Sequence, residues 1–278
     1  MTKSSMSLTI NRPVSISNIT ICCSTQCNVP GEWNLHRRSS AWHDKIQSCS
    51  NAWSERVSCM KIKVNDLSQH HSVFNQYMAE IRDVTVQNDS LRFRRNLERL
   101  GEIMAYEISK TMVYETRSVN TPLGVSECNV LAAQPVLATI LRAGLPLHQG
   151  FLNYFDRAEN TFVSAYRIHH NDDDAFDVEV EYLASPDLEG KTVILCDPML
   201  ATGSSMLLAY KALLERGTPS HTHVATVIAS EQGIRFVQQN MPRETTIWTG
   251  AVDKELTSRS YIVPGLGDAG DLAYGSKQ

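Results

Sequence analysis

The sequence has no long hydrophobic run and no excess of basic residues. No segment approaches the roughly 20 consecutive apolar residues that a membrane-spanning helix needs, and the formal net charge is −4 at pH 7. Such a charge gives no chain-wide attraction to nucleic acid or anionic lipid. With 278 residues, 42% hydrophobic and 20% charged, the chain has an ordinary globular composition, and we expect neither a membrane nor a nucleic-acid partner.

Cysteine and tryptophan are scarce after residue 59. Residues 1–59, here called the leader, hold three of the four tryptophans and five of the seven cysteines, Cys22, Cys23, Cys27, Cys49 and Cys59. The leader has twelve serines, and six Lys or Arg against three Asp or Glu. It shows no periodic apolar pattern. The leader is therefore predicted to be disordered or outside the functional protein, with residues 60–278 as the folded domain.

Two alternatives for the leader stay open. A serine-rich, acid-poor stretch is also typical of a cleaved organelle-targeting peptide. A zinc site on Cys22, Cys23 and Cys27 with His36 or His43 is less favoured, because no C-x2-C pair repeats at the required spacing. The sequence has no secretory signal, and only Cys128 and Cys196 fall within residues 60–278. We therefore expect a reducing compartment, the cytoplasm, with organelle targeting as the alternative.

Short apolar runs alternate with helical patterns along the folded domain. The periodicity predicts strands over 135–141, 162–166, 192–196, 224–229 and 245–248, and helices over 145–155, 204–214 and 231–239. Strands that alternate with helices indicate an α/β fold, a mostly parallel central sheet with helices on both faces.

Two further elements are predicted by pattern. A long amphipathic helix begins after Asp89 or Ser90 as N-cap, and its arginines, Arg92, Arg94, Arg95 and Arg99, are interpreted as a solvated face. Residues 176–184 alternate polar and apolar side chains, which predicts a half-exposed strand in a hairpin whose turn is at 171–174.

The segment after residue 193 combines a buried strand with a small-residue loop. Four apolar residues end at Asp197, and Ala201, Thr202, Gly203, Ser204 and Ser205 then open a helix. In open α/β sheets the ligand crevice lies at the carboxyl ends of the strands, and backbone N–H groups at a helix N-terminus bind phosphate. No G-x-x-x-x-G-K-[ST] motif occurs, so simple ATPase or GTPase chemistry loses its main support. Asp197 beside this loop can accept hydrogen bonds from ribose hydroxyls.

A G-x-G-x-x-G match at 265–270 is a decoy. Only eight residues follow it, whereas a dinucleotide site needs a helix, a second strand and an acid about 20 residues further on. So much glycine around Asp268 instead favours a wall of exposed backbone groups that can contact the edge of a small planar ligand. A flexible tail is the simpler alternative.

Three motifs together resemble uracil phosphoribosyltransferase. They are I-L-R-A-G-L at Ile140–Leu145, D-P-M-L-A-T-G-S-S at Asp197–Ser205 and Y-I-V-P-G-L-G-D-A-G-D at Tyr261–Asp271, in the family's order. The resemblance runs from about Met60 to the C-terminus. It implies a three-layer phosphoribosyltransferase-like fold, with a parallel five-stranded core, helices on both faces, and a small hood with a β-hairpin arm.

The resemblance also implies a reaction, the transfer of the 5-phosphoribosyl group from 5-phosphoribosyl 1-diphosphate (PRPP) to uracil. The products would be UMP and diphosphate, as in pyrimidine salvage. The implied cofactor is Mg²⁺, carried by PRPP near Asp268 with no direct protein ligand assigned. A homo-oligomer is implied as well, and GTP activation, known for some members, is possible but not predicted here. The alternative function is a non-catalytic regulator of the same fold that senses pyrimidine or PRPP.

Site residues follow from the motifs by resemblance. Arg142 would bind the diphosphate, and Arg167, in a family-like Tyr-Arg pair, would reach the same group. Uracil would contact Ile262, Gly267, Asp268 and Ala269, largely through backbone, with Asp268 also near the diphosphate. The implied PRPP loop is Asp197, Pro198, Met199, Leu200, Ala201, Thr202, Gly203, Ser204 and Ser205. Pro198 after Asp197 agrees with the uracil branch, whereas Ser204 stands where the family often has glycine, which matters if a positive φ is needed there.

Overall fold

The computed structural model describes residues 62–169 and 176–276, and the side chains of these ranges except within 165–181. The leader with its zinc and targeting interpretations, and the hairpin turn at 171–174, lie outside the described residues. In the described ranges, no helix has both the length and the apolar character required to cross a membrane.

The described chain alternates strands and helices as predicted. The strands are β1 (Lys63–Asp66), β2 (Tyr114–Thr121), β3 (Gly124–Leu131), β4 (Val136–Leu141), β5 (Glu159–His169), β6 (Phe176–Ala184), β7 (Thr192–Cys196), β8 (Met199–Leu200), β9 (His221–Ser230), β10 (Thr245–Asp253), β11 (Glu255–Leu256) and β12 (Ile262–Val263). The helices are α1 (Val73–Arg82), α2 (Ser90–Ser109), α3 (Leu145–Tyr154), α4 (Ser204–Leu213), α5 (Glu231–Asn240) and α6 (Ala269–Tyr274). Short 3-10 turns occur at Leu67–Gln69 and Leu214–Arg216.

The central sheet has the strand order β1-β10-β9-β7-β4-β5-β6, and β8 also pairs with β9. From β1 to β5 every neighbouring pair is parallel, whereas β6 is antiparallel to β5. The predicted mostly parallel α/β sheet is confirmed. The resemblance implied five parallel strands, and β1 adds a sixth at the edge beside β10.

Two hydrophobic clusters hold the sheet between its helices. One includes Leu97, Leu100 and Met104 of α2 with Phe151 of α3. The other includes Met206 and Leu213 of α4 with Val237 of α5, together with strand residues such as Val193 and Leu195. Ile194 and Cys196, which alternate with these residues along β7, belong to the first cluster, because successive side chains of a strand point to opposite faces. The helices accordingly cover both faces of the sheet.

Helix α2 begins as predicted, with Asp89 as its N-cap. The Asp89 carboxylate accepts hydrogen bonds from the backbone N–H groups of Leu91 and Arg92. The solvated arginine face is only partly correct. Arg92 pairs with Glu80 of α1, Arg94 donates to the carbonyl of Ala273 at 2.6 Å, and Arg99 lies over the Tyr77 ring at 5.0 Å. Three of the four arginines therefore contact neighbouring elements.

Helix α1 and the β2–β3 hairpin are the largest elements that had no corresponding prediction. Helix α1 packs its Phe74, Met78 and Ile81 into the core. The β2–β3 hairpin forms a separate two-stranded sheet, with every β2 residue exposed and Leu123 at its turn fully exposed. Its polar, weakly alternating sequence carries no signal of a buried face.

A buried histidine of β9 makes the domain sensitive to acid. Trp248 donates its indole N–H to Nδ1 of His223 at 3.2 Å, which requires that nitrogen to be unprotonated. Burial, and next the neighbouring His221, lower the pKa of His223 from 6.5 to about 3. Between these pH values the unfolded chain binds more protons than the folded one, so the free energy of unfolding decreases as pH falls through this window.

We expect His223→Gln to reduce this pH dependence. Wild-type stability should fall from pH 7 to pH 5, as measured by urea unfolding, at up to about 1.4 kcal/mol per pH unit for each such histidine. Burial also lowers the pKa of His148 and His221, so the variant should keep part of the slope. Equal slopes in the two proteins would show that His223 is not responsible.

Candidate active site

The loops that carry the predicted motifs follow neighbouring parallel strands. Thr139 of β4 is paired with Cys196 of β7, and Cys196 is paired in turn with Ala225 of β9. Because parallel strands end at the same edge of a sheet, the loops after β4 and β7 lie side by side. The structure therefore brings the Arg142 and Asp197 motifs together at the carboxyl edge.

The segment after β7 is fastened to β9. The backbone N–H of Asp197 donates to the carbonyl of Ala225 at 3.1 Å, and the Pro198 carbonyl accepts from Val227 and Ile228, each at 3.0 Å. Met199 and Leu200 then form β8 and pair with β9. Residues 197–200, the first half of the predicted loop, are therefore hydrogen-bonded to β9 along their length. The half-buried Asp197 lies at the start of this segment.

The second half turns into helix α4 at Gly203. Gly203 has φ +84° and is the N-cap, and it has no side chain to cap the first turn. A Cβ there would lie 2.8 Å from Cδ1 of Phe236. The first N–H groups of the ten-residue helix form a suitable anion cradle.

The substitution of the family's glycine by Ser204 creates no conformational conflict. Among the described residues, Ser260 is the one non-glycine with positive φ, so Ser204 has an ordinary backbone and the positive φ lies one residue earlier. Thr202 donates a hydrogen bond to the Ser204 hydroxyl at 3.1 Å. The start of α4 therefore has an ordinary backbone at Ser204 and two hydroxyls, those of Thr202 and Ser204, beside it.

Helix α5 supports the cradle from behind. The Ser230 hydroxyl donates to the carbonyl of Ala201 at 2.5 Å and accepts from the N–H of Gly233 at 2.8 Å. A Cβ at Gly233 would lie 2.5 Å from the same Ala201 carbonyl. The loop therefore has little room to move away from the sheet edge.

Arg142 connects the β4 loop to the C-terminal motif. Its Nη2 donates to Oδ1 of Asp271 at 2.9 Å and to the carbonyl of Gly275 at 2.8 Å. Its Nε is buried and has no hydrogen-bond partner within the described part of the chain. A buried guanidinium N–H without a partner is costly, and an anionic ligand at this edge would satisfy it.

The C-terminal motif places Asp268 next to Arg142. Asp268 is exposed and is the N-cap of α6, where its Oδ1 accepts from the N–H of Asp271 at 3.0 Å. A Cβ at Gly270 would lie 3.1 Å from that Oδ1 and 3.7 Å from Nε of Arg142. Gly270 therefore leaves the space between these two side chains open.

The residues predicted to contact uracil differ in exposure, with Gly267 and Asp268 exposed and Ile262 and Ala269 buried. Ile262 and Ala269 are buried, and Ile262 belongs to the hydrophobic core. Gly267 is exposed, and a Cβ there would have no neighbour within 4 Å. Open space at Gly267 beside the buried Ala269 is compatible with the predicted backbone wall.

Arg167 lies on β5, three residues after Ser164. Ser164 is paired with Leu141, the last residue of β4, so Arg167 lies past the carboxyl end of β4. Its backbone pairs with Val178 of β6, whereas its side chain is not among the described ones.

Three contact residues were missed by the sequence reasoning. They are Asp271, Arg82 and Asp253. Asp271 could have been found from its place as the second acid of G-D-A-G-D, whereas no sequence pattern marks Arg82 or Asp253.

No group of three or more His, Cys, Asp or Glu side chains within residues 62–169 and 176–276 is arranged to hold a metal ion.

A separate cavity of about 560 Å³ lies at the opposite, amino-terminal edge of the sheet, lined by residues such as Lys63, Lys191 and His221. None of the predicted site residues lines it, so the carboxyl-edge loops remain the candidate site.

A parallel α/β sheet whose carboxyl edge carries Asp197, the N-terminus of α4 and the adjacent Arg142 is typical of the phosphoribosyltransferase class. The family model described as uracil phosphoribosyltransferase matches residues 68–276. The chain belongs to the uracil phosphoribosyltransferase family.

Named relatives and a solved structure agree with this assignment. A uracil phosphoribosyltransferase of Porphyromonas gingivalis is 60% identical over 216 residues, 78% of this chain and 100% of the relative. One from Pyrococcus furiosus is 38% identical over 203 residues, 72% of this chain and 85% of the relative. The structure of AQ2163 protein from Aquifex aeolicus superposes with a TM-score of 0.68 at 30% identity, covering 76% of this chain and 98% of that one. The enzymatic interpretation is therefore favoured over the non-catalytic regulator.

Proposed function

We propose that the carboxyl-edge loops carry out the family reaction, in which PRPP and uracil give UMP and diphosphate. Two observations on neighbouring loops carry this proposal. The N-cap of α4, Gly203, makes no side-chain hydrogen bond, and the buried Nε of Arg142 has no hydrogen-bond partner within the described residues. Two sets of donors at one edge suit a substrate with a phosphate at one end and a diphosphate at the other.

Each motif receives one part of the substrates. Asp197 accepts hydrogen bonds from the ribose hydroxyls, and the backbone of residues 201–205 holds the 5-phosphate. Arg142, with Arg167, binds the diphosphate. Uracil lies against the backbone of Ile262, Gly267 and Ala269, with Asp268 between base and diphosphate.

The reaction needs charge stabilisation rather than a protein nucleophile. The bond from the anomeric carbon to diphosphate breaks with its electron pair on diphosphate, a ring nitrogen of uracil forms the new bond, and its proton leaves to solvent. Negative charge grows on the leaving group while the sugar gains oxocarbenium character. Arg142 is preorganised to stabilise the charge on the leaving diphosphate, while the N-terminus of α4 holds the 5-phosphate in place.

The residues present fit a substrate-borne Mg²⁺. This ion commonly keeps several waters and binds through one or two carboxylates plus substrate phosphates. Asp268 is an exposed carboxylate adjacent to Arg142, so an ion carried by PRPP would lie near it, with no direct protein ligand assigned. When bound, Mg²⁺ neutralises charge on the leaving diphosphate.

We also propose a homo-oligomer, formed through the β2–β3 hairpin. Isolated two-stranded hairpins are marginally stable in water, and this one exposes Val119, Leu123 and Val125. A second copy that covers these side chains would stabilise the hairpin.

The leader is proposed to lie outside the catalytic machinery, in a cytoplasmic enzyme. The family match begins at residue 68, and the Porphyromonas gingivalis relative is covered completely by 78% of this chain. Both facts support a catalytic domain that does not need residues 1–59.

The function is tested by measuring the nucleotide and the diphosphate formed from PRPP and Mg²⁺ with uracil, cytosine, hypoxanthine or orotate, of which uracil alone would give UMP. The full chain and a shortened chain beginning at Met60 are compared. We expect product with uracil alone, at equal rates in both proteins. Preference for another base would refute the substrate assignment, and PRPP binding without turnover would favour the regulator. Activity in the full chain alone would refute the proposal for the leader.

A further inference from the structure

An ion pair behind the C-terminal motif joins two distant parts of the chain. Arg82, the last residue of α1, binds Asp253, the last residue of β10, in two hydrogen bonds. Nη1 to Oδ2 measures 2.9 Å and Nη2 to Oδ1 measures 3.0 Å. The Asp253 side chain is 9% exposed and the Arg82 side chain 24%. Bidentate pairs of this kind add geometric specificity as well as energy.

The same pair holds both backbone polar groups of Gly265. The Gly265 N–H donates to Oδ2 of Asp253 at 3.0 Å, and Nη1 of Arg82 donates to the Gly265 carbonyl at 3.2 Å. Gly265 is buried, so these contacts satisfy groups that would otherwise be costly to bury. We call the arrangement of Arg82, Asp253 and Gly265 the backbone clamp.

The clamp acts on a tight turn at Gly265. Gly265 has φ +56°, and a Cβ there would lie 2.1 Å from the carbonyl of Ile262. The chain therefore turns back tightly on Ile262 and then continues to Gly267 two residues later. Fixing both backbone groups of Gly265 fixes the spacing between the two parts of the proposed uracil wall.

We propose that Arg82 and Asp253 are positioning residues that shape the Ile262–Ala269 segment for a planar pyrimidine base. Within the described part of the chain, their hydrogen bonds reach neither the proposed phosphate cradle nor Arg142. Their loss should therefore weaken uracil binding while PRPP binding is preserved. This inference rests on the proposed function, because it assigns the segment to uracil.

The test compares full-length Arg82→Ala, Arg82→Lys and Asp253→Asn with wild type. We expect Arg82→Ala to raise KM for uracil at least about tenfold, as expected for loss of charge-assisted hydrogen bonds, with KM for PRPP changed less than twofold. Arg82→Lys should recover part of the loss, because it retains the charge but not the bidentate geometry. The KM of Asp253→Asn for uracil should lie between the values of Arg82→Ala and Arg82→Lys, because the amide oxygen of asparagine can still accept a hydrogen bond from the Gly265 N–H.

Arg92→Ala is the matched control. Arg92 also makes a two-point ion pair between α1 and α2, with Glu80 at 2.8 and 2.9 Å, and has no contact with Gly265 in the described chain. It should leave both KM values unchanged. A parallel rise of both KM values in Arg82→Ala, or no change in either, would overturn the proposal. The same experiment with Asp253→Asn and Arg82→Lys decides the matter if Arg82→Ala does not fold.

Hydrogen exchange separates failure of the clamp from failure of the proposed function. Amide exchange of the peptide spanning residues 261–271 should be faster in Arg82→Ala than in Arg92→Ala, whether or not the protein makes UMP. If wild type makes no UMP but exchange behaves as expected, the function is wrong and the clamp stands. If wild type makes UMP and exchange is equal in both variants, the clamp is wrong.

Discussion

Arg142→Ala should reduce kcat/KM for PRPP by about 10² to 10³ or more. The guanidinium is expected to bind the diphosphate most strongly as it leaves, when its negative charge is greatest, and loss of a single preorganised donor of this kind has an effect of this size. Steady-state kinetics with uracil saturating would measure it. The free energy of unfolding should change by at most about 1 kcal/mol, because the Arg142–Asp271 pair is half-exposed.

Asp271→Asn is the control for a purely internal role of Arg142. This variant removes the ion pair at 2.9 Å but leaves the guanidinium in place. It should lose less than about tenfold in kcat/KM, since Arg142 still contacts the Gly275 carbonyl. If Arg142→Ala were as active as wild type, or if Asp271→Asn were equally damaging, the diphosphate role would be wrong.

Gly203→Ala should raise KM for PRPP by about a hundredfold. A left-handed conformation costs a non-glycine residue about 1–2 kcal/mol, and the new Cβ would lie 2.8 Å from the Phe236 ring. Relief of both requires the start of α4 to move, which misplaces the N–H groups of the cradle. Isothermal titration with PRPP would measure the same loss without turnover.

Gly190→Ala provides the comparison for this variant. Gly190 also has positive φ, +68°, but a Cβ there would meet nothing within 4 Å, and it lies before β7 at the opposite edge from the cradle. It should cost stability without changing KM for PRPP. Equal effects of the two substitutions on PRPP binding would show that general destabilisation, and not cradle geometry, is responsible.

Local patterns in the sequence predicted most of the sheet. The strands over 192–196 and 176–184 have the bounds that were expected, since buried apolar runs and strict alternation are signals carried by the residues themselves. The β2–β3 hairpin has an exposed, polar sequence, so no burial pattern marks it. The apolar spacing of α2 would place Leu91 on the buried face, but Leu91 is 62% exposed, because that face is centred on Leu97 and Leu100.

The site was predictable only where its residues are neighbours in sequence. The cradle after Asp197 is one continuous segment with a strand before it and a helix after it. Arg142 and Asp271 are 129 positions apart, and Arg82 and Asp253 are 171 apart. A single charged residue does not identify a partner so distant in sequence, so these pairings needed the three-dimensional structure.

The most direct measurement is a crystal structure of the full chain with UMP bound. We predict that the phosphate will lie within hydrogen-bond distance of the backbone N–H groups at 203–205, with uracil against Ile262, Gly267 and Ala269. The ribose hydroxyls should contact Asp197. UMP bound elsewhere, for example in the cavity lined by Lys63 and Lys191 at the opposite edge of the sheet, would contradict the account.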